Sequence, residues 1–248
     1  MLTMDPWVTL VWLASSLTLL ILLSRWLNRH MQGVMLLLFR SANVALYAEY
    51  LVLWPGIVLH ELSHWLMAQV LGVKTKGLSL KPRKLRGRQV SYGSVQIVSA
   101  DPVRNSLIGL APLLSGSIAV LLCAAYGLGI PPLTMPRSWA ELGAYLSSGD
   151  ALIWAYLIFA ISNAMLPSES DRRPWGPVAL FTGIVFAFLF ATNVTSRIPP
   201  SITTISLFVV SYLAYAFTLT IIVDAVVALG VGIVEVVISY LSGRRVKY

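Results

Sequence analysis

The stretch from Tyr47 to Val73 is an almost unbroken apolar run, and it contains His60, Glu61 and His64. A run of this length predicts a helix that enters a membrane. On a helix, two histidines four residues apart lie on one face, one turn apart, so both imidazoles can reach one metal ion. Ionisable groups inside a membrane helix cost free energy, which favours a functional interpretation of the cluster.

Glu61 follows the first histidine, where it can take a proton from a water bound to that metal. This is the HExxH pattern of zinc hydrolases. The chain has only three histidines and two of them are in the motif, which argues against a chance match. The alternative is a structural cluster, in which the three side chains form a hydrogen-bonded knot between helices.

The composition is that of a membrane protein. Of the 248 residues, 57% are hydrophobic and 11% are charged, whereas soluble domains carry about a quarter charged residues. The apolar runs are long and do not alternate, which predicts spanning helices. We therefore predict an all-α polytopic membrane protein with about six transmembrane helices. It would form one domain over residues 1–248, with its core at about 50–175.

The apolar segments predict where the spans lie. They are Trp7–Leu27, the motif helix ending near Val73, Asn105–Ile130, Ala151–Leu166, Trp175–Thr192 and Ile202–Val223. The segment Val34–Trp54 fits either a further crossing or an interfacial helix. Pro55 and Gly56 predict a kink or break before the motif helix.

The last apolar stretch, Ala225–Leu241, contains Gly230 and Gly232, which predict a break. Asp224 and Glu235 flank or lie within this stretch and have no obvious partner. They fit a water-filled cleft or a subunit contact. The simpler interpretation is an interfacial helix with its acids among the lipid headgroups.

The segment from Lys74 to Arg104 carries eight basic residues and one acid, Asp101. The excess of positive charge predicts that this loop and the basic C-terminus are cytosolic. The motif helix would then place its metal nearer the cytosolic leaflet. The net charge of +8 is held in short loops, which indicates contact with the lipid bilayer and argues against nucleic-acid binding.

Residues Val90 to Val98 have β character within this basic loop. We predict a short membrane-associated strand or hairpin on the cytosolic side. An exposed strand edge would pair with an extended substrate, with Tyr92, Gly93 and Val95 as its contacts. The alternative is a plain basic loop held at anionic headgroups.

A catalytic zinc site requires three protein ligands and an open position for water. The chain has ten acids, so few residues can complete the site. Asp171 and Glu169 follow a short span that brings them to the leaflet of the motif, and Asp224 and Glu235 are the other intramembrane candidates. Considered by itself, Asp171 would be expected to pair with one of the two arginines that follow it.

Asn163 lies eight residues before Asp171, within the same short span. As a polar group in an apolar helix, it could hydrogen-bond a substrate backbone or a developing oxyanion.

The chain resembles the site-2 protease family of intramembrane zinc metalloproteases over about Gly56–Pro174. The residues that carry the resemblance are His60, Glu61 and His64 in a membrane helix, followed by Asn163, Pro167 and Asp171. In that family, a membrane HExxH is followed by an Asn–Pro–Asp segment whose aspartate is the third zinc ligand. Here Pro167 comes one residue later than in the family pattern, and Arg172 stands where the family usually has glycine.

The resemblance implies that His60, His64 and Asp171 bind one zinc ion per chain. It also implies that Glu61 is the general base and that Asn163 assists at the substrate. A membrane-associated β-region follows the first motif in the family, and residues 90–98 occupy that place.

These features predict an intramembrane zinc metalloendopeptidase that hydrolyses peptide bonds of membrane-spanning protein or peptide substrates. One alternative is a metal-binding membrane scaffold or chaperone of the same fold, although such a protein has no need of Glu61. Another is a small-ion transporter with His60, His64, Asp171 and Asp224 along its path. The sequence shows neither the paired halves nor the repeated broken helices of such transporters.

Overall fold

Long apolar helices dominate the computed structural model of the chain, which describes residues 5–84, 90–98, 100–134, 139–145, 147–192 and 199–244. The elements in chain order are α1 Pro6–Phe39, α2 Ala42–Val70, β1 Thr75–Ser79, β2 Arg83–Lys84, β3 Val90–Ser91, β4 Ser94–Ile97, α3 Pro102–Leu122 with a π-helical turn Cys123–Gly127, α4 Trp139–Tyr145, α5 Ala151–Met165, α6 Glu169–Arg172, α7 Trp175–Ala191 and α8 Pro200–Ser242.

Four helices are long and apolar enough to cross a membrane: α1, α2, α8, and α3 together with its π-helical turn. A fifth span results if α5 and the helical segment Glu169–Val185, which meet at a bend of 53°, are counted as one. The all-α prediction is confirmed, and several helices fit a membrane protein. The described residues contain four or five candidate spans, where the sequence predicted about six.

Neither of the two predicted positions breaks its helix: the break expected at Gly230 and Gly232 is wrong, and so is the break, as distinct from a kink, at Pro55. Helix α2 continues through Pro55, and α8 continues through Gly230 and Gly232 over 43 residues. In an apolar environment the backbone must satisfy its own hydrogen bonds, so a helix is retained where a soluble chain would turn. The segment 34–54 is divided between the end of α1 and the start of α2, so it forms no crossing of its own.

Aspartates cap two of the long helices. Asp5 accepts a hydrogen bond from the backbone N–H of Trp7 at 2.8 Å, and Asp101 accepts from Val103 and Arg104, each at 3.0 Å. Proline follows each aspartate at the first helical position, where its missing N–H is harmless. The backbone N–H of Arg104 is the main cause of the lowered pKa of Asp101.

Two small antiparallel pairings form the β-region: β1 with β4, and β2 with β3. Leu78 lies opposite Val95 in the first pairing, and Arg83 lies opposite Ser91 in the second. The predicted strand at Val90–Val98 is confirmed as two short strands separated by Tyr92 and Gly93. Strand β1, which completes the first sheet, was not predicted.

The core lies where α2 packs against α3 and α5, while α8 packs chiefly along α1. Gly56 of α2 permits close approach to α5, because a Cβ at Gly56 would overlap the carbonyl oxygen of Ala160. This packing brings the motif helix beside the end of α5, and hence beside the segment that contains Asp171.

The two acids of α8, Asp224 and Glu235, were expected among the lipid headgroups, but both contact other helices. Asp224 is fully buried, and its Oδ1 accepts hydrogen bonds from Ser162 and Asn163 of α5 at 3.1 and 3.2 Å. Glu235 pairs with His30 of α1, with 2.6 Å between Oε2 and Nδ1. Both acids therefore join helices within the protein, which corrects the assignment of Asp224 to the lipid headgroups.

Candidate metal centre

The two motif histidines point their Nε2 atoms at each other from one face of α2. These nitrogens are 3.1 Å apart. The other ring nitrogens face backbone carbonyls: Nδ1 of His60 lies 2.6 Å from the oxygen of Ala164, and Nδ1 of His64 lies 2.8 Å from the oxygen of Ile108. A carbonyl only accepts, so each Nδ1 carries the hydrogen and each neutral ring leaves its Nε2 with a lone pair.

Asp171 completes the group from α6. Its Oδ1 lies 3.4 Å from Nε2 of His64, and its Oδ2 lies 3.7 Å from Nε2 of His60. A capping box fixes the carboxylate, because Oδ2 accepts from the backbone N–H of Ser168 at 2.7 Å and the Ser168 hydroxyl accepts from the N–H of Asp171. The guanidinium of Arg172 instead donates to the carbonyl of Ser168, so Asp171 is not held by its arginine neighbour.

The arrangement fits a divalent cation. The ligand atoms of His60, His64 and Asp171 all lie within 4.8 Å of one another. Two imidazole lone pairs and a carboxylate converging this closely repel one another unless a positive charge lies between them. Two nitrogen ligands of a tetrahedral metal with bonds of about 2.0–2.1 Å would be about 3.3 Å apart, close to the 3.1 Å between the two imidazoles.

The hydrogen bonds behind the imidazoles also match those of metal sites. A histidine ligand usually donates its second ring N–H to a carbonyl or carboxylate, which fixes the ring and its tautomer. Here Ala164 of α5 and Ile108 of α3 supply those acceptors. Three helices thus hold the two rings: α2 carries them, and the two neighbouring helices orient them.

Glu61 lies beside this group, with 7% of its surface exposed. The loop between β3 and β4 covers it, since a Cβ placed on Gly93 would lie 2.6 Å from Cγ and Oε1 of Glu61. A side chain at position 93 would therefore require the Glu61 carboxyl group to move. Gly93, named from the sequence as a substrate contact, is thereby placed against the predicted general base.

One cavity of about 1160 Å³ contains the whole constellation. The residues predicted from the sequence that line it are His60, Glu61, His64, Tyr92, Gly93, Val95, Asn163, Glu169 and Asp171. Its walls are mixed, with hydrocarbon side chains such as Leu53 and Ile57 facing polar groups. A space of this size can admit both water and an extended peptide segment.

Asn163 lies at the cavity wall, but its amide is already hydrogen-bonded. Its Nδ2 donates to the carbonyl of Phe159 at 3.0 Å and to Asp224 at 3.2 Å. Its Oδ1 accepts from Ser24 of α1 at 3.3 Å. In this arrangement Asn163 ties α5 to α1 and α8, and it would have to release a hydrogen bond in order to donate to a substrate.

Glu169, the alternative third ligand, is exposed at the rim of the cavity. The three-residue group that could hold a metal contains Asp171 and not Glu169.

Sequence reasoning missed several residues that support the site. The carbonyls of Ala164 and Ile108 have no sequence signal. Ser168 did have one, because a serine three residues before an acid is the pattern of a capping box. Glu49 of α2 was also missed; it is 2% exposed and lies near the Tyr92 hydroxyl. Burial and this carboxyl raise the pKa of Tyr92.

Comparisons with protein-family models, with characterised proteins and with solved structures found no match. Function must therefore be inferred from the site itself.

Proposed function

We propose that this chain is an intramembrane zinc metalloprotease that hydrolyses peptide bonds of membrane-spanning substrates. The observation that carries the proposal is the convergence of two imidazole Nε2 atoms and one carboxylate beside a second, separate carboxyl group, Glu61. Three ligands and one base are the minimum set for a hydrolytic zinc site. A site that only stores or transports a metal has no need of the base.

His60, His64 and Asp171 would hold the zinc ion. Zinc in such a site polarises a carbonyl group and lowers the pKa of water toward about 7. Glu61 accepts a proton from the attacking water, whose oxygen forms a bond to the carbonyl carbon of the substrate. As the C–N bond breaks, Glu61 returns the proton to the leaving amine. The products are a carboxyl group and a free amine, and no other reactant is consumed.

The substrate must be extended at the site, because a helical backbone keeps its carbonyls hydrogen-bonded internally. Strand β4 offers a template for such a segment. Val98 donates its N–H to the carbonyl of Lys74 at 2.9 Å, which fixes the side of the strand that faces β1. By alternation, the N–H groups of Val95 and Ile97 point away from β1, and both residues line the cavity.

Among the strands that the structure describes, β4 pairs only with β1. Its second edge is therefore suited to adding one strand of substrate, a common mode of peptide capture. The substrates we propose are single-span membrane proteins or peptides. The excess of basic residues in the loop between α2 and α3 supports a cytosolic position for this edge, and a metal nearer that leaflet.

The test is cleavage of a tagged single-span protein by the purified chain in liposomes. Glu61→Gln should retain zinc but lose cleavage by at least about a hundredfold, the scale of general-base catalysis. Full cleavage by this variant would remove Glu61 from the mechanism. Stoichiometric zinc in a wild-type chain that cleaves no spanning substrate would instead favour a metal-binding scaffold.

A further inference from the structure

Helix α1 carries a row of polar residues, of which Ser24 contacts Asn163 at the site described above. Ser24, Asn28 and Gln32 are spaced four residues apart, so they lie along one face over about 12 Å, at 1.5 Å per residue. Polar side chains on a membrane helix generally face the protein interior or an aqueous path. A row of three on one face indicates that α1 contributes more than a lipid-facing span.

The two ends of this row have partners within the protein. Ser24 donates to Oδ1 of Asn163, one residue before the Ala164 carbonyl that orients His60. Gln32 lies near the carboxyl group of Glu49, and so does the Tyr92 hydroxyl, which has no hydrogen-bond partner among the described residues. The row therefore runs from the neighbourhood of the metal ligands to the loop that covers Glu61.

Asn28, in the middle of the row, lines the cavity that contains the metal ligands. Its side-chain oxygen is shielded from bulk water, and among the described residues no donor reaches it. A buried acceptor without a donor destabilises a protein. Asn28 lines the cavity, so a rotation of its amide group would bring this oxygen to the cavity, where a ligand can supply the missing N–H.

We propose that Asn28 is a substrate-positioning residue whose side-chain oxygen accepts a backbone N–H from the extended substrate. The inference rests on the proposed function. A segment that pairs with β4 along one edge still presents N–H and C=O groups along its other edge, and in an apolar site these need partners. Asn28 lies on α1 and lines the same cavity as Val95 and Ile97 of β4, so we assign it to that second edge.

The ligand class follows from this geometry. Asn28 recognises an unwound backbone and not a particular side chain, so it selects spans that unfold easily near the cut. A substrate that remains helical at that point offers no N–H to Asn28, because its amides bond within the helix.

A cross-linking experiment tests the contact without requiring cleavage. A photoreactive residue is placed at position 28 of the Glu61→Gln full-length chain in liposomes, and the probe is a tagged protein with a single apolar span of about 20 residues. We expect a cross-link from position 28. The control is position 22 of the same helix, where Leu22 is 58% exposed, and it should give none. Equal cross-linking from both positions, or none from position 28, would overturn the proposal.

A second experiment identifies the hydrogen bond. Synthetic spanning peptides, each with one backbone N–H replaced by N–CH3, are cleaved in bicelles by wild type and by Asn28→Leu. At one position near the cut, methylation should lower kcat/KM roughly tenfold in wild type, the scale of one hydrogen bond, and leave Asn28→Leu unchanged. In Asn28→Ser, which keeps a hydrogen-bond acceptor, the loss of kcat/KM on methylation should lie between those of wild type and Asn28→Leu. This variant tests the proposal if Asn28→Leu does not fold.

Equal methylation losses in wild type and Asn28→Leu at every position would contradict the proposal, even if the protein is a protease. Failure of the wild type to cleave any peptide would instead count against the proposed function, and the cross-link alone would then decide whether position 28 faces a substrate.

Discussion

Gly109 of α3 touches the main chain of Asp171: a Cβ placed on Gly109 would overlap the carbonyl oxygen of Asp171. The preceding residue, Ile108, gives its own carbonyl to Nδ1 of His64. Two adjacent residues of α3 thus hold one histidine and the aspartate in position. The distance between these two ligands depends on the absence of a side chain at position 109.

The first prediction follows from this contact. Gly109→Ala should displace Asp171 and weaken zinc binding by about 10- to 100-fold, the usual effect of disturbing a residue behind the ligands. Gly183→Ala in α7 is the matched control, because a Cβ there meets nothing within 4 Å. Zinc affinity, measured by competition with a chromogenic chelator, should fall only in the first variant. Equal affinities would show that α3 does not position Asp171.

Strand β4 gives the second prediction. Val95→Pro removes the N–H that points away from β1, whereas Val95→Ala keeps it. We expect the proline variant to lose cleavage of a spanning substrate by about tenfold, in line with one backbone hydrogen bond, while both variants keep their zinc. Cleavage assays paired with metal analysis measure this. Similar rates for the two variants would argue against strand pairing with the substrate.

The third prediction concerns the buried pair Asn163 and Asp224. Asn163→Leu leaves the carboxyl group of Asp224 buried with one donor fewer, which should cost roughly 1–3 kcal/mol of stability. Replacing both residues by leucine should recover part of that loss, because the buried carboxyl group is then removed and only the Ser24 hydroxyl loses its acceptor. Thermal unfolding in detergent compares the variants. A double variant that is less stable than Asn163→Leu would contradict the assignment of this pair as a structural tie.

The same two variants also separate the roles of Asn163. If it assists at the substrate, as the sequence resemblance implies, the stabilised double variant will still cleave slowly. If it only joins helices, cleavage will return with stability.

Much of the candidate site could be predicted from the sequence because its signals are local. The spacing of His60 and His64 sets their shared face on any helix, and Glu61 follows from the motif. Local spacing does not predict that Asp171 lies near the histidines, because its approach depends on how α5 packs on α2. The resemblance indicated Asp171 where charge alone favoured a pairing with arginine, and its carboxylate lies within 4.8 Å of the histidine ligand atoms.

Other features depended on tertiary contacts that no local pattern encodes. Pro55 and Gly230 are breakers in soluble chains, but the apolar surroundings keep both inside continuous helices. The sequence favoured an interfacial position for Asp224, but α8 packs so that its carboxyl group accepts a hydrogen bond from Asn163. Asn28 belongs to a polar row that the sequence shows, but its lack of a donor and its place on the cavity wall depend on tertiary packing.

The most direct test of the account is the zinc content of the purified chain, counted by mass spectrometry for wild type, Asp171→Ala and Glu169→Ala. We predict one zinc per chain in wild type and in Glu169→Ala, and loss of zinc in Asp171→Ala. A wild-type chain without zinc, or one that loses it only when Glu169 is replaced, would contradict the proposed centre.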